Sequence, residues 1–241
     1  MKQQSIPITV ALLLAAASTV HAAVIQTNTF NSISGAAGLV VSTSDLVNAG
    51  QSTLTSYTES STAAPVFGAN NANDGLVAGT TGPAAAGFWR SVALPLTITF
   101  TLNLTANTNG YDITKINSLA GWQAGATQTY ANQKFAVEYS LVGSAAFIAL
   151  TAVDYSPFTS TTSGTAAYTQ STITDDSTGV LASGVDALRF VYSTPTISGG
   201  TNGGLVLQEI DITGTATVPE PSVAALLGLI SIISLVGSRR R

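Results

Sequence analysis

The sequence predicts an all-β fold, a sandwich or barrel, on three observations. Strand-length segments alternate apolar and polar residues with a period of two. Clusters rich in Gly, Asn, Ser and Asp separate them: "NANDG", "NTNG", "GSAA", "STTSGT", "DDSTG" and "SGGTNGG". Apart from a short piece at Asp45 to Ala49, no central stretch keeps helical spacing for more than about two turns.

The chain of 241 residues opens with Lys2, an apolar core from Ile8 to Ala17, and Val20-His21-Ala22 as a small-residue cleavage pattern. These are the parts of a secretory signal peptide, residues 1–22, cut between Ala22 and Ala23. Residues 23–217 then suffice for one domain with a sizeable core. Their first clear strand is Leu94 to Leu104, where Leu96, Ile98, Phe100, Leu102 and Leu104 alternate with Thr97, Thr99, Thr101 and Asn103. One face is thus buried and one wet. "KFAVEYS" repeats the pattern with Phe135, Val137 and Tyr139, "DALRFVYS" repeats it with Leu188, Phe190 and Tyr192, and "LVLQEIDITG" closes the series at Leu205 to Gly214. Ser156 to Thr178, almost wholly Ser, Thr, Gly, Ala and Asp, reads as one long loop with at most a short strand.

Composition narrows the chemistry. Only 8% of the residues are charged, against about 25% in average globular proteins. The central part carries four basic residues (Arg90, Lys115, Lys134, Arg189) and eleven acidic ones, a net charge of minus seven. Nucleic acid is excluded as a partner, because phosphate binding needs clustered Lys and Arg. There is no Cys, and the only His and the only Met leave with the signal peptide. A mature chain so constituted has no Ser-His-Asp triad, no thiol nucleophile and no ordinary zinc site. Carboxylate chemistry or no catalysis remains.

The end of the chain, "VPEPSVAALLGLISIISLVGSRRR", sets Pro219-Glu220-Pro221 before an uncharged run, Ser222 to Ser238, and three terminal arginines. Seventeen uncharged residues are at the lower limit for a membrane-spanning helix. The arginines hold its end in the cytoplasm, leaving the central part outside, as the N-terminal signal also requires. The ordered triplet over residues 218–241, with its helix at 222–238, resembles the PEP-CTERM sorting signal of bacterial exported proteins. That resemblance implies processing near Pro219, Glu220 and Pro221 by an exosortase-type membrane enzyme, a transient membrane anchor, and a final place at the cell surface or in the exopolysaccharide matrix of a Gram-negative bacterium.

Within the central domain, "NDG" (Asn73 to Gly75) with "FWR" (Phe88 to Arg90), "LPLTITFTL", "FAVEYSLVGSAAFIAL", "DALRFVY" and "LQEIDITG" resemble, in order, segments of the discoidin-like or galactose-binding-like jelly roll of carbohydrate-binding modules and factor V/VIII C-type domains. The resemblance implies a jelly-roll β-sandwich. It also implies a structural calcium where the early Asp meets a Glu of the last strand, here Asp74 and Glu209, with oxygens from Asn71, Asn73, Thr80 and Thr81 available to complete the shell. The plainer alternative makes Asp74-Gly75 a tight turn and Glu209 a solvated side chain.

For a sugar ligand, Trp122 and Tyr130 bracket the loop "QAGATQT" and offer aromatic faces, while Arg90 or Asn132 can hydrogen-bond hydroxyls. Trp89 reads as packing. For catalysis, Glu209 and Asp211 stand two apart on one strand, about 7 Å from each other on one face. That is near the spacing of glycosidase carboxylate pairs, yet parallel side chains do not flank a shared bond. The expectation is an exported, non-enzymatic domain that binds extracellular polysaccharide. A structural matrix protein without a specific ligand ranks second and a glycan-cleaving enzyme third.

Overall fold

The alternating segments form strands because their apolar residues fall on one pleat face and their β-branched partners suit extended backbone. A computed structural model of the chain describes residues 24–31, 39, 41–61, 71–75, 77, 94–122, 128–159, 166–195 and 204–218. The signal peptide with Ala22 and Ala23, Arg90, Thr80, Thr81 and the C-terminal segment with Pro219, Glu220, Pro221 and the 222–238 helix lie outside the described residues. Among the described residues no helix is long and apolar enough to cross a membrane.

Among the described residues nine strands run in the order β1 (Val24–Asn31), β2 (Leu54–Ser61), β3 (Leu96–Leu102), β4 (Tyr111–Trp122), β5 (Gln133–Leu141), β6 (Ile148–Tyr155), β7 (Ala167–Asp175), β8 (Ala182–Tyr192) and β9 (Leu207–Ala216). Every pairing is antiparallel. One layer has the order β1-β7-β4-β9 and the other β2-β3-β8-β5-β6. They join at a corner where β4 meets β8 through Tyr111 opposite Val185 and Ile113 opposite Ala182. Ile113, Ile116, Ile173, Ile210 and Ile212 from the first layer share one core with Leu96, Ile98, Phe100, Phe135, Val137 and Phe190 from the second. The molecule is therefore an all-β, two-sheet sandwich.

β3 follows its sequence pattern throughout: Leu96, Ile98, Phe100 and Leu102 are buried and the intervening threonines half-buried. β8 does the same with Leu188, Phe190 and Tyr192. The expected loop at Ser156 to Thr178 instead contains β7, a nine-residue strand between β1 and β4. Its alternation is hidden because it points polar groups inward, Thr169 and Ser171 together with Ile173. Thr169 is accommodated by Gln133, whose Nε2 donates to its Oγ1 at 2.9 Å and to its carbonyl at 3.1 Å. The helical piece expected at Asp45 to Ala49 is a series of turns instead. Its backbone runs beside the last strand, Leu46 N–H donating to the carbonyl of Ile212 at 2.8 Å, so the edge of β9 takes the hydrogen bonds a helix would have kept.

The register gives the sandwich two distinct poles. Val24 opposes Asp175, and Tyr111 opposes Ala216, so the first and last strand ends share one pole. Asn31 opposes Tyr168, Trp122 opposes Ala167, and Leu207 opposes Ala120 at the other. The length of β4 separates the poles by about 36 Å.

Candidate functional site

Glu209 and Asp211 fall on the outer face of the first layer, because Ile210 and Ile212 between and beside them turn inward. Both are nonetheless buried, with 1% and 2% of their surface exposed. The chain covers them with two segments, the turns around Asp45 and a 3-10 turn at Asn71–Asn73 that ends in Asp74 and Gly75. The carboxylate of Glu209 accepts the main-chain N–H of Asp74 at 3.2 Å and of Gly75 at 3.1 Å. Gly75 is required there: its φ is +74°, and a Cβ would sit 2.7 Å from Asn48 Nδ2 and 2.9 Å from the carbonyl of Ser42.

Asp45 joins the same region. Its Oδ1 accepts Val47 N–H at 3.0 Å and Ile212 N–H at 3.3 Å. Asp211 Oδ2 accepts from Asn117 Nδ2 at 3.4 Å, and Asn117 Oδ1 in turn accepts from the Thr172 hydroxyl at 2.9 Å. Burial, with Asp211, Asp74 and Asp45 close by, pushes the Glu209 carboxyl up to about 10, although the Gly75 amide pulls the other way. Burial and Asp45 push Asp211 up to about 6, against the Ser42 amide, the Asn117 amide and Lys115. Burial likewise raises Asp45.

Three oxygens in this region, Asp45 Oδ2, Asp211 Oδ1 and Asn73 Oδ1, are buried without a hydrogen-bond partner. A hard cation that takes oxygen ligands matches that donor set. Among the described residues no three acidic side chains form a ready-made metal cage, so further ligands would have to come from main-chain carbonyls. Asp74 and Glu209 are brought together, but through the main-chain N–H of Asp74. Glu209 is not solvated, contrary to the plainer sequence reading. Its burial, with that of Asp211, also keeps the pair from flanking a bond of an external substrate.

Of the expected ligand residues, Trp122, Tyr130 and Asn132 lie at the pole opposite the strand ends Val24 and Ala216, and Arg90 is outside the described residues. Trp122 ends β4 opposite Ala167. Tyr130 lies in a 3-10 turn at Gln128–Ala131, is half-buried, and its carbonyl accepts Val206 N–H at 2.9 Å. Asn132 is placed differently from the expectation: it is fully buried and clamps a loop. Its Nδ2 donates to the carbonyl of Phe158 at 2.7 Å and its Oδ1 accepts Phe158 N–H at 3.1 Å, so its amide is committed to the fold.

A surface absent from the sequence reading lies on the outer face of the second layer. Ala152, Ala136 and Val191 stand opposite one another across β6, β5 and β8. They floor a cavity of about 300 Å³ that Lys134, Asp154 and Ser193 also line. Lys134 Nζ pairs with Asp154 Oδ2 at 2.9 Å. Four residues along β5 from Lys134, Glu138 Oε2 accepts from Arg189 Nε, and the guanidinium lies 4.0 Å from the centre of the Phe147 ring. The four charges come from three strands, and only their register shows that they are neighbours.

No family model matches the chain, and no curated protein does. Among solved structures it is similar to CBM32-3 from a family 31 glycoside hydrolase of Clostridium perfringens, with 15% identity over 65% of this chain and 91% of that one, and a TM-score of 0.34. It is also similar to an F5/8 type C domain of a Bacteroides fragilis protein, with 13% identity over 69% and 97% and a TM-score of 0.36. GH31 CBM32-2 bound to GalNAc shows 14% identity over 79% and 98%, with a TM-score of 0.30. Identities and TM-scores this low assign no function.

Proposed function

We propose that this chain is an exported, non-catalytic protein of the cell surface or extracellular matrix of a Gram-negative bacterium, whose jelly-roll sandwich binds extracellular polysaccharide. On this reading residues 1–22 direct export, and residues 218–241 form the sorting signal that an exosortase-type enzyme processes after a transient stay in the membrane. The observation that carries the non-catalytic part is the lock on Glu209 and Asp211. The carboxylate pair that best matched a glycan-cleaving spacing is buried under two covering segments, and Glu209 is held by main-chain amides.

Two further features support display and binding. The strand ends Val24 and Ala216 share one pole, so an anchor following β9 leaves the Trp122 and Tyr130 pole facing away from the membrane. The scarcity of charge and of basic clusters suits a neutral polyhydroxylated partner. A structural calcium held by Glu209 and Asp74 belongs to the same proposal, and the unpartnered oxygens of Asp45, Asp211 and Asn73 support it. When bound, such an ion neutralises the buried acids and fixes the covering segments.

The protein recovered from the cell surface is expected to begin at Ala23 and to end near Pro219 to Pro221 by mass, and to be retained on immobilised polysaccharide. An intact Met1 and Arg241 would overturn export and processing. A folded protein retained on no polysaccharide would leave a structural matrix component as the better account, and reducing-sugar release that disappears in Glu209→Gln would restore the enzyme reading.

A further inference from the structure

We infer that the trough on the outer face of β6, β5 and β8 is a binding surface for a neutral glycan chain at least two sugar rings long. The inference rests on the polysaccharide-binding reading and places binding on the sheet face, away from the Trp122 and Tyr130 pole.

The floor of Ala136, Ala152 and Val191 is apolar and short in side chain, which leaves depth for a ligand of about 300 Å³. That volume is at the lower end of small-ligand sites. A sugar ring presents an apolar C–H face and a rim of hydroxyls, and the trough presents the complement. Its floor is apolar, the Lys134–Asp154 pair offers donors and acceptors within its lining, and the register sets Glu138–Arg189 on the same sheet face just beyond it, as a second polar rim. Hydrogen bonds from hydroxyls to ionised groups are among the strong ones. The pairing holds the four long side chains in place beforehand, which lowers the entropic cost of binding.

Length and charge set the ligand class. Lys134 and Glu138 are four residues apart on β5, a span of about 13 Å, so touching both rims takes more than one ring. Each rim is neutral in itself, because each couples one cation to one anion. A polyanionic chain would meet Asp154 and Glu138 directly, in a central part whose net charge is minus seven. A neutral chain meets no such repulsion.

The test is native electrophoresis of the full chain, in mild non-ionic detergent, through gels carrying galactomannan, dextran or alginate. Wild type is expected to be slowed by at least one neutral polymer and less by alginate. Ala152→Trp, which fills the trough from an exposed position on an edge strand, is expected to weaken that binding at least tenfold. The double variant Lys134→Gln/Asp154→Asn is expected to weaken it as well, without filling the floor. Melting temperatures establish that each variant is folded. Retardation that survives both variants but disappears in Trp122→Ala overturns the trough and leaves polysaccharide binding standing. Stronger retardation by alginate than by the neutral polymers overturns the neutral ligand class, and retardation by no polymer overturns the polysaccharide reading together with this inference.

Discussion

Glu209 and Gly75, 134 residues apart in sequence, are joined by a 3.1 Å hydrogen bond from the Gly75 N–H to a carboxylate oxygen. That bond, with its neighbour from Asp74, ties the 71–75 turn to the last strand. Replacing Gly75 by Ala forces a side chain into positive φ and drives its Cβ against Asn48 and Ser42. The expected cost is about 2 kcal/mol or more. Glu209→Ala removes the acceptor of the buried Gly75 N–H and of the part-buried Asp74 N–H and is expected to cost about 2–4 kcal/mol. Urea unfolding measures both, and an unchanged midpoint for Gly75→Ala would show that the turn does not approach so closely.

The buried acids make stability depend on pH with a definite sign. Glu209 and Asp211 have folded-state values raised from 4.5 to about 10 and from 3.8 to about 6. The folded chain therefore holds their protons more tightly than the unfolded chain does. That contribution is complete below the unfolded values and is lost as pH rises, through about 6 for Asp211 and about 10 for Glu209. Asp175 acts oppositely: the Thr178 hydroxyl above all, with the amides of Thr178, Ser177 and Gly179, holds it down to about 2, so its contribution appears above 3.8 and fades in acid. In chelator, the melting temperature is expected to peak in mild acid and fall towards pH 8. Asp211→Asn should flatten the part of that fall below about pH 6. Added calcium at pH 8 is expected to raise the melting temperature, since a ligand bound only by the native state stabilises it; indifference to both chelator and calcium would remove the proposed ion.

Between the sheets, Gln133 organises a buried polar network. Its Nε2 donates to the carbonyl of Ser118 and to Thr169, and its Oε1 accepts the Ser118 hydroxyl at 2.6 Å. With that hydroxyl hydrogen spent, the 2.8 Å contact between Ser118 and Tyr192 has Tyr192 as the donor. Gln133→Leu is expected to cost about 2–4 kcal/mol by stranding Ser118 and Thr169, whereas Tyr192→Phe removes one donor and should cost about 1 kcal/mol. The double variant tests the coupling. Strict additivity would mean that the two side chains do not belong to one network.

The strands most legible in the sequence were those whose core face is purely apolar, β3 and β8 above all. β7 escaped because Thr169 and Ser171 face inward; Thr169 is held there by Gln133 and by the Ala131 carbonyl, both far off in sequence, while Ser171 Oγ is buried without a partner. That Glu209 and Asp74 meet was legible, but the sequence suggested a carboxylate pair where the main chain of Asp74 supplies the contact. Asp45 left no signal, since its role depends on a turn laid along the edge of β9, 167 residues away. Asn132 looked like a polar loop residue and proved to be a loop clamp, a distinction set by Phe158 alone. The trough charges were unreadable for the same reason, because strand register and not sequence spacing brings Glu138 to Arg189.

With no Cys in the chain, the fold has no disulfide, and packing must hold the two sheets together. Within the second layer an aromatic cluster joins β3, β5 and β8. Phe190, fully buried on β8, meets Phe100 edge-on at 6.0 Å and lies 6.1 Å from Phe135 and 6.4 Å from Tyr192. Phe190→Ala removes a ring touching three others and leaves a cavity that three neighbouring strands cannot close, so a loss of about 3–5 kcal/mol is expected. Phe190→Leu retains much of the volume and should lose less. Thermal and urea unfolding are expected to rank wild type, Leu and Ala in that order. If Ala were as stable as Leu, the ring cluster would not be what joins the second layer's central strands, and the stability of this cysteine-free sandwich would have to be sought in its hydrogen-bonded edges.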